Sequence, residues 1–415
     1  MRIVHLATYP ARAGAGQAAY RIHAALRAHG LDSWLVGEEP VPGDERVVTP
    51  SRPRWGNARR LLRPLVANWR VPRNARGLFS ELVLPGAAAR TVAALRPDVV
   101  HVHWVQDGLL SLGQLAALRQ PLVWTLHDDW AFTGGCHYAG ACQRYEQSCG
   151  CCPLLGAHRE RDASARGLAA KQRQFGGHAI RWVAISEAQR ARAARAALLR
   201  DQPLAFIQCA IRTEEFQPHP RPLARRLLGL EENRFWILAI ASRLDDPRKG
   251  YDRLLAALPQ IPIAGEIPPS LLLVGSGPEM SVPAGWHVRR LGVLHDSVSR
   301  ALAYSAADVC VVPSREDAGP MTTLEALACG TPVVATPCGL NPEVIAPERN
   351  GWIAATGAPA ELAAGIAWAR RTVRVENVRA AARTAVVARS SEIEAAAYAA
   401  LYATALASPQ PGSGA

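Results

Sequence analysis

The densest chemistry in the chain lies in Pro313-Ser314-Arg315-Glu316-Asp317-Ala318-Gly319-Pro320-Met321-Thr322-Thr323-Leu324-Glu325-Ala326, where an apolar run gives way to a helical pattern. Gly319 lets the backbone approach a ligand closely, and Pro320 suits a first helical position. The unsatisfied amides near Met321, Thr322 and Thr323 would point outward with the positive end of the helix dipole, so a pyrophosphate could dock there without a metal. Asp317 and Glu325, with seven residues between them, place one carboxylate before the helix and one in its second turn. A second stretch, Ala241-Ser242-Arg243-Leu244-Asp245-Asp246-Pro247-Arg248-Lys249-Gly250, supplies Arg243 and Lys249, two cations able to neutralise a departing diphosphate. Each motif alone also has a plainer use, as a helix cap or a surface ion pair.

The first half offers a glycine-bearing turn, Thr8-Tyr9-Pro10-Ala11-Arg12-Ala13-Gly14-Ala15-Gly16-Gln17, in which Gly16 is the ligand-facing candidate. Two further apolar runs lead into Pro97-Asp98-Val99-Val100-His101-Val102-His103-Trp104 and Val123-Trp124-Thr125-Leu126-His127-Asp128-Asp129-Trp130, whose aromatic and histidine side chains could line a sugar pocket. An isolated histidine is more often a structural hydrogen-bonding group than a catalyst, and His101, His103 and His137 are read that way.

Cys136, Cys142, Cys149 and Cys152 follow a C-x5-C-x6-C-x2-C pattern inside a Gly-rich loop. Four thiolates suit a tetrahedral structural zinc that would stiffen a loop lacking its own core. Unmetallated thiols or a disulfide are the alternatives, and the adjacent Cys151 leaves the choice of sulfurs open. From Arg52 to Arg76 there are eight arginines and no acidic residue, with Trp55 and Trp69 between them. That pattern fits a face resting on anionic lipid or an ordinary solvated basic helix.

What must position these groups is an alternation of short apolar runs and amphipathic stretches. Strands are predicted at 2–7, 32–37, 98–103, 121–127, 181–186 and 204–207, and after a proline-rich stretch at 217–222 they resume at 235–241, 271–274, 288–291, 308–312, 332–335 and 351–354. A helix over Gln17–Ala28 carries Ala19, Ile22, Ala25 and Leu26 on one face. The fold class is therefore α/β, with two doubly wound Rossmann-like domains and a ligand cleft between them. The expected division is an N-terminal domain at 1–215 containing the Cys-rich loop 134–155, a linker at 216–230, a C-terminal domain at 231–385, and a helix at 386–407 returning to the first domain. With 415 residues, 49% hydrophobic and 20% charged, the chain exceeds one ordinary core and is not a disordered composition. Its net charge of +12 favours anionic partners, while no nucleic-acid module accompanies the charge. No apolar run reaches the roughly eighteen residues of a membrane span. The start of the chain reads as a buried strand and not as an export signal, which places the nine cysteines in a reducing cytoplasm.

Asp317 to Glu325, continued by Ala326-Leu327-Ala328-Cys329-Gly330-Thr331-Pro332-Val333-Val334-Ala335-Thr336, resembles the nucleotide-sugar signature of family 4 of the retaining glycosyltransferases, with Asp317 where that family usually has Glu. The stretch Trp130-Ala131-Phe132-Thr133-Gly134-Gly135-Cys136-His137-Tyr138 is similar to a subgroup acting in bacterial exopolysaccharide, colanic-acid-like and O-antigen assembly. The resemblance implies a GT-B fold and metal-independent transfer of a sugar from a UDP- or GDP-linked donor, with retention of configuration. It implies that Glu325 holds the ribose, that Asp317 and the Ala318–Thr322 backbone meet sugar and phosphates, that Arg243 and Lys249 bind the diphosphate, and that His127 sits beside the transferred sugar. The acceptor would be a saccharide or a polyprenyl-diphosphate-linked sugar, handled in the cytoplasm with peripheral contact at the inner face of an anionic membrane. Gln208-Cys209-Ala210-Ile211-Arg212-Thr213 departs from the family's Pro-Asn-Gly-Ile-Asp at Cys209 and Arg212. Two rival functions remain: a nucleotide-sugar epimerase, and an inactive zinc- or thiol-containing binding protein on the same scaffold.

Overall fold

The computed structural model describes residues 1–50, 71–81, 85–176, 178–263, 268–279, 281–372 and 376–407. Most of the arginine-rich stretch, 52–70, lies outside the described residues. The chain divides into two compact units, one formed by Met1–Gln208 with the helix Ser391–Ala407, the other by Cys209–Ser390.

The first unit is built on a seven-stranded sheet in the order β3-β2-β1-β4-β5-β6-β7. Its strands are β1 Arg2–Leu6, β2 Asp32–Val36, β3 Val47–Val48, β4 Val99–Val102, β5 Leu122–Leu126, β6 Ile180–Ala184 and β7 Leu204–Phe206, and all the pairings are parallel. The two-residue β3 is the strand that apolar patterning missed, being too short to show a period. Parallel strands are covered by helices on both faces, which is why β1, β4 and β5 read as nearly unbroken apolar runs. The helix Ala13–Ala28 buries Ala19, Ile22 and Leu26 as expected, and also His23. It kinks at Gly14 (φ 40°), so regular helix begins close to the predicted start. The C-terminal helix covers this same sheet, with Tyr398 and Tyr402 buried against Ile3, Val99 and Val123.

The second unit carries a six-stranded parallel sheet in the order β10-β9-β8-β11-β12-β13. These are β8 Trp236–Arg243, β9 Ser270–Ser276, β10 His287–Gly292, β11 Val309–Val312, β12 Val333–Ala335 and β13 Gly351–Ile353. Residues 216–230, expected as a linker, fall within this unit, and Arg221–Leu228 is helical. A buried carboxylate ties this helix to the sheet. Asp308, just before β11, accepts from Arg221 (2.6 Å), Arg225 (2.6 Å) and the Trp236 amide at the start of β8 (2.7 Å).

In both sheets the order reverses at a central pair, between β1 and β4 and between β8 and β11. Parallel sheets bind ligands beyond the carboxyl ends of their strands at such a reversal, because the two neighbouring loops leave in opposite directions. The turn after β1 leads into Gly16 at the start of the helix Ala13–Ala28, and His103 follows β4; the loops after β8 and β11 hold Lys249 and Asp317.

Candidate active site

Arg243 ends β8, and Pro247–Lys249 forms a single 3-10 turn capped by Gly250 at φ 68°. A Cβ on Gly250 would lie 2.0 Å from the Pro313 carbonyl, so the β8 and β11 loops meet where only glycine fits. The Arg315 amide, donating to the Arg248 carbonyl at 2.7 Å, holds the loops together. Across this junction Lys249 Nζ donates to Asp317 Oδ2 at 2.7 Å with both side chains only partly exposed, while Asp317 Oδ1 accepts from the Gly319 amide at 3.1 Å. Asp317 is thereby aimed by two donors. Arg243 is 70% exposed and paired with Asp245 at 2.7 and 3.1 Å, an arrangement a phosphate could displace.

The helix after β11 runs Met321–Ala328, so Pro320 (φ −66°, ψ 96°) precedes it, one residue later than the sequence suggests for the start. The Thr323 amide turns back to the Pro320 carbonyl at 3.0 Å, which leaves Met321 and Thr322, both half-buried, as the outward amides of the first turn. Glu325 is buried on the helix, accepting from Arg300 at 2.9 Å and from the Tyr304 hydroxyl at 2.8 Å. Sequence reasoning missed both partners, which come from the helix Ser297–Ala306. Each carboxylate oxygen can accept a second bond, so these donors fix Glu325 without exhausting it.

In the first unit Gly16 is buried, and a Cβ there would lie 1.8 Å from the Tyr9 carbonyl. The tight β1 turn therefore requires glycine for its own geometry. The histidines form a structure that no local pattern announced. His5 Nδ1 and His103 Nε2 are 3.0 Å apart, and His103 Nδ1 and His127 Nε2 are 2.8 Å apart, giving a chain of three imidazoles from β1 through the end of β4 to the end of β5. His101 is held by Tyr402 (2.7 Å) and Thr125 (2.8 Å), and Thr125 by Tyr398 (2.8 Å). His137 lies between Asp128 (2.6 Å) and Ser80 (2.9 Å). Burial holds His5, His101 and His103 well below the ordinary imidazole range, and lowers His23 and His127 to about 4.

With the chain neutral, one proton occupies each imidazole bond. His5 Nε2 is buried with no partner among the described residues, and an orphaned acceptor is tolerated better than an orphaned N–H. The proton of His5 is therefore on Nδ1, that of His103 on Nδ1, and half-buried His127 presents its own Nδ1–H as a donor. The His5, His101 and His103 nitrogens lie within 4.8 Å of one another. They make a poor metal cage, because the His5 and His103 rings stack at 18° and ring lone pairs lie in the ring plane.

The four cysteines are free thiols in one region of the first unit, and Arg212 of the departing Gln208–Thr213 stretch pairs with Glu215 at 2.7 Å. Cys209 is buried.

Comparison with known proteins gives a consistent assignment. Residues 12–215 match the family described as Glycosyltransferase Family 4, and residues 236–371 match that described as Glycosyl transferases group 1. The chain is 36% identical over 165 residues to a D-inositol 3-phosphate glycosyltransferase of Segniliparus rotundus, which covers 37% of this chain and 36% of that protein. It is 27% identical over 162 residues to a putative colanic acid biosynthesis glycosyl transferase of Escherichia coli, covering 37% and 40%. The matches thus span between a third and two fifths of these relatives. Among solved structures, sucrose-phosphate synthase of Thermosynechococcus elongatus aligns with a TM-score of 0.69 at 21% identity, over 97% of this chain and 98% of that one. An Anabaena protein crystallised with UDP and glucose aligns with a TM-score of 0.64 at 18% identity, over 97% and 100%. These likenesses establish the two-sheet GT-B fold, and with the two family matches they place the chain in glycosyltransferase family 4.

Proposed function

We propose that the protein is a retaining glycosyltransferase that moves a sugar from a nucleoside-diphosphate donor, UDP- or GDP-linked, to a saccharide or polyprenyl-diphosphate-linked acceptor in cell-surface polysaccharide synthesis. The observation that carries this reading is the Lys249–Asp317 pair at the β8/β11 reversal, beside the open end of the Met321–Ala328 helix. An ammonium and helix amides stabilise the negative charge that grows on a departing diphosphate, and they do so preorganised, without a metal. Arg243 adds a second, exchangeable cation. Glu325, clamped by Arg300 and Tyr304, serves the ribose hydroxyls, and Asp317 with the Gly319 amide serves the sugar. His127, as a neutral N–H donor, steadies the transferred sugar and is not a base.

No described helix is long and apolar enough to cross a membrane, and a peripheral contact through the arginine-rich 52–76 stretch belongs to the proposal. The test is a thermal-shift screen of UDP- and GDP-sugars, followed by turnover with lipid-linked and free saccharides in EDTA and NMR of the product's anomeric configuration. Binding of no nucleotide sugar would favour the inactive-scaffold alternative; isomerised donor without acceptor would favour an epimerase; inverted product would overturn retention.

A further inference from the structure

We propose that Ser80, His137 and Asp128 act as nucleophile, base and orienting carboxylate, a second reactive centre in the first unit that takes the acyl group of a carboxylic ester onto Ser80. None of the three is assigned to sugar transfer, and the site does not depend on that reading. Asp128 Oδ2 lies 2.6 Å from His137 Nδ1, and His137 Nε2 lies 2.9 Å from Ser80 Oγ. Burial raises the Asp128 carboxyl, but the His137 ring beside it, with the hydrogen bonds from that ring and from the Trp130 amide (2.9 Å), outweighs burial and holds the group below its ordinary value. An ionised carboxylate can only accept, so with His137 neutral it takes the Nδ1 proton, and the Nε2 lone pair is left facing the Ser80 hydroxyl. Ser80 therefore donates to a base that a third group already orients, the arrangement that activates an otherwise weak hydroxyl nucleophile.

The backbone laces the two sides of this centre together. The His137 amide donates to the Leu78 carbonyl (2.9 Å), the Ser80 amide to the Gly135 carbonyl (2.9 Å) and Trp130 Nε1 to the Ser80 carbonyl (2.9 Å), while Phe79 pairs antiparallel with Cys136. Gly135, at φ 142°, faces the Phe79 ring, and a Cβ there would come within 2.6 Å of it, so only glycine lets the segments close. His137 is 4% exposed and the Asp128 side chain 13%, whereas Ser80 is half-buried, leaving the nucleophile as the member that solvent reaches. The half-buried Trp104 ring stacks on His137 (5.9 Å, 29°), and the Tyr9 ring lies 6.0 Å from Trp104. Flat aromatic faces beside a reactive hydroxyl suit the apolar face of a sugar ring, which makes an O-acylated sugar the ester class the site fits.

Ser80 Oγ attacks the ester carbonyl carbon as its proton passes to His137 Nε2. Collapse breaks the bond from that carbon to the alcohol oxygen, and the alcohol leaves with the proton from Nε2, so the acyl group stays on Ser80. Water then attacks the acyl-serine while giving a proton to Nε2. The bond to Oγ breaks, the carboxylic acid departs, and Oγ recovers the proton. Ester and water become alcohol and acid, with nothing oxidised or reduced. Asp128 keeps its charge throughout and steadies the imidazolium that forms between the transfers.

The test treats the full chain with a fluorophosphonate, which stays on an activated serine, and reads the adduct by intact mass and by peptide mass spectrometry. About one adduct per chain, on Ser80, is expected in wild-type protein and none there in Ser80→Ala. Asp128→Asn keeps an oxygen to cap the Trp130 amide but leaves His137 without its carboxylate, so labelling should slow at least a hundredfold, within the roughly 10²–10⁴-fold that a positioned base supplies. p-Nitrophenyl acetate should release a burst of about one equivalent of p-nitrophenol, and an O-acetylated sugar should release acetate, both through Ser80. If the variants do not fold, the wild-type adduct and its position decide alone. No adduct on Ser80 in the wild type, or an unchanged labelling rate in folded Asp128→Asn, would overturn the centre; hydrolysis of p-nitrophenyl acetate without that of any acetylated sugar would overturn the substrate class.

Discussion

The first unit should be unusually sensitive to mild acid, and the size of the effect follows from its imidazoles. His5, His23, His101 and His103 are buried, and burial keeps each neutral in the fold: His23 down to about 4, the other three well below the ordinary range. In the unfolded chain each takes a proton near pH 6.5. The unfolded state thus binds more protons than the folded one below that pH, so stability is complete above about 6.5 and falls as pH drops toward 4. At pH 5.5 each group costs about 1.4 kcal/mol, and four cost about 5.6 kcal/mol, comparable with the whole stability of a domain. Half-buried His127, lowered to about 4 like His23, adds a comparable share. None of the three histidines of the second unit, His219, His287 and His295, is buried. Urea unfolding at pH 7.5, 6.5 and 5.5, read by hydrogen exchange resolved into peptides and corrected for intrinsic rates, should show the first unit losing most of its protection while the second keeps its own. His23→Gln, which can still meet Ser33, should remove about one of the protons taken up. Equal loss in both units, or uptake of fewer than about two protons on unfolding between pH 6 and 5, would refute the argument.

Lys249→Ala should lower kcat/KM about a hundredfold with the donor, the scale of losing one preorganised charge donor; Arg243→Ala should cost less and depend more on salt, being exposed, and steady-state kinetics at two ionic strengths checks the order. Asp308→Ala leaves Arg225 buried without its carboxylate and frees the Trp236 amide, so it should destabilise the second unit by about 3–5 kcal/mol in urea titration. His103→Phe should break the imidazole chain and lower kcat with little change in donor affinity, whereas His103→Gln, which can both donate and accept, should restore part of it; side-chain 15N NMR should report Nδ1–H at His127 in the wild type and a mixture of tautomers in His103→Phe.

Much of this protein is written locally. Among the described residues, twelve of the thirteen strands follow from apolar runs and their flanking turns, and parallel strands announce themselves because both faces are buried. The phosphate-binding candidates Lys249, Gly319 and Asp317 were legible because a strand end, a glycine and a helix start are neighbours in sequence. The partners that give those residues their chemistry were not. Glu325 is set by Arg300 and Tyr304, Lys171 meets Trp130 and Thr133 some forty positions away, and His127 is reached from His5 through His103. His101 bonds Tyr402, 301 positions later, because the closing helix returns to the first sheet. Periodicity and turn chemistry act over a few residues, so the sequence by itself determined the elements and where their loops emerge. Strand order and register decide which side chains touch across the sheet, and those belong to the packed tertiary structure alone.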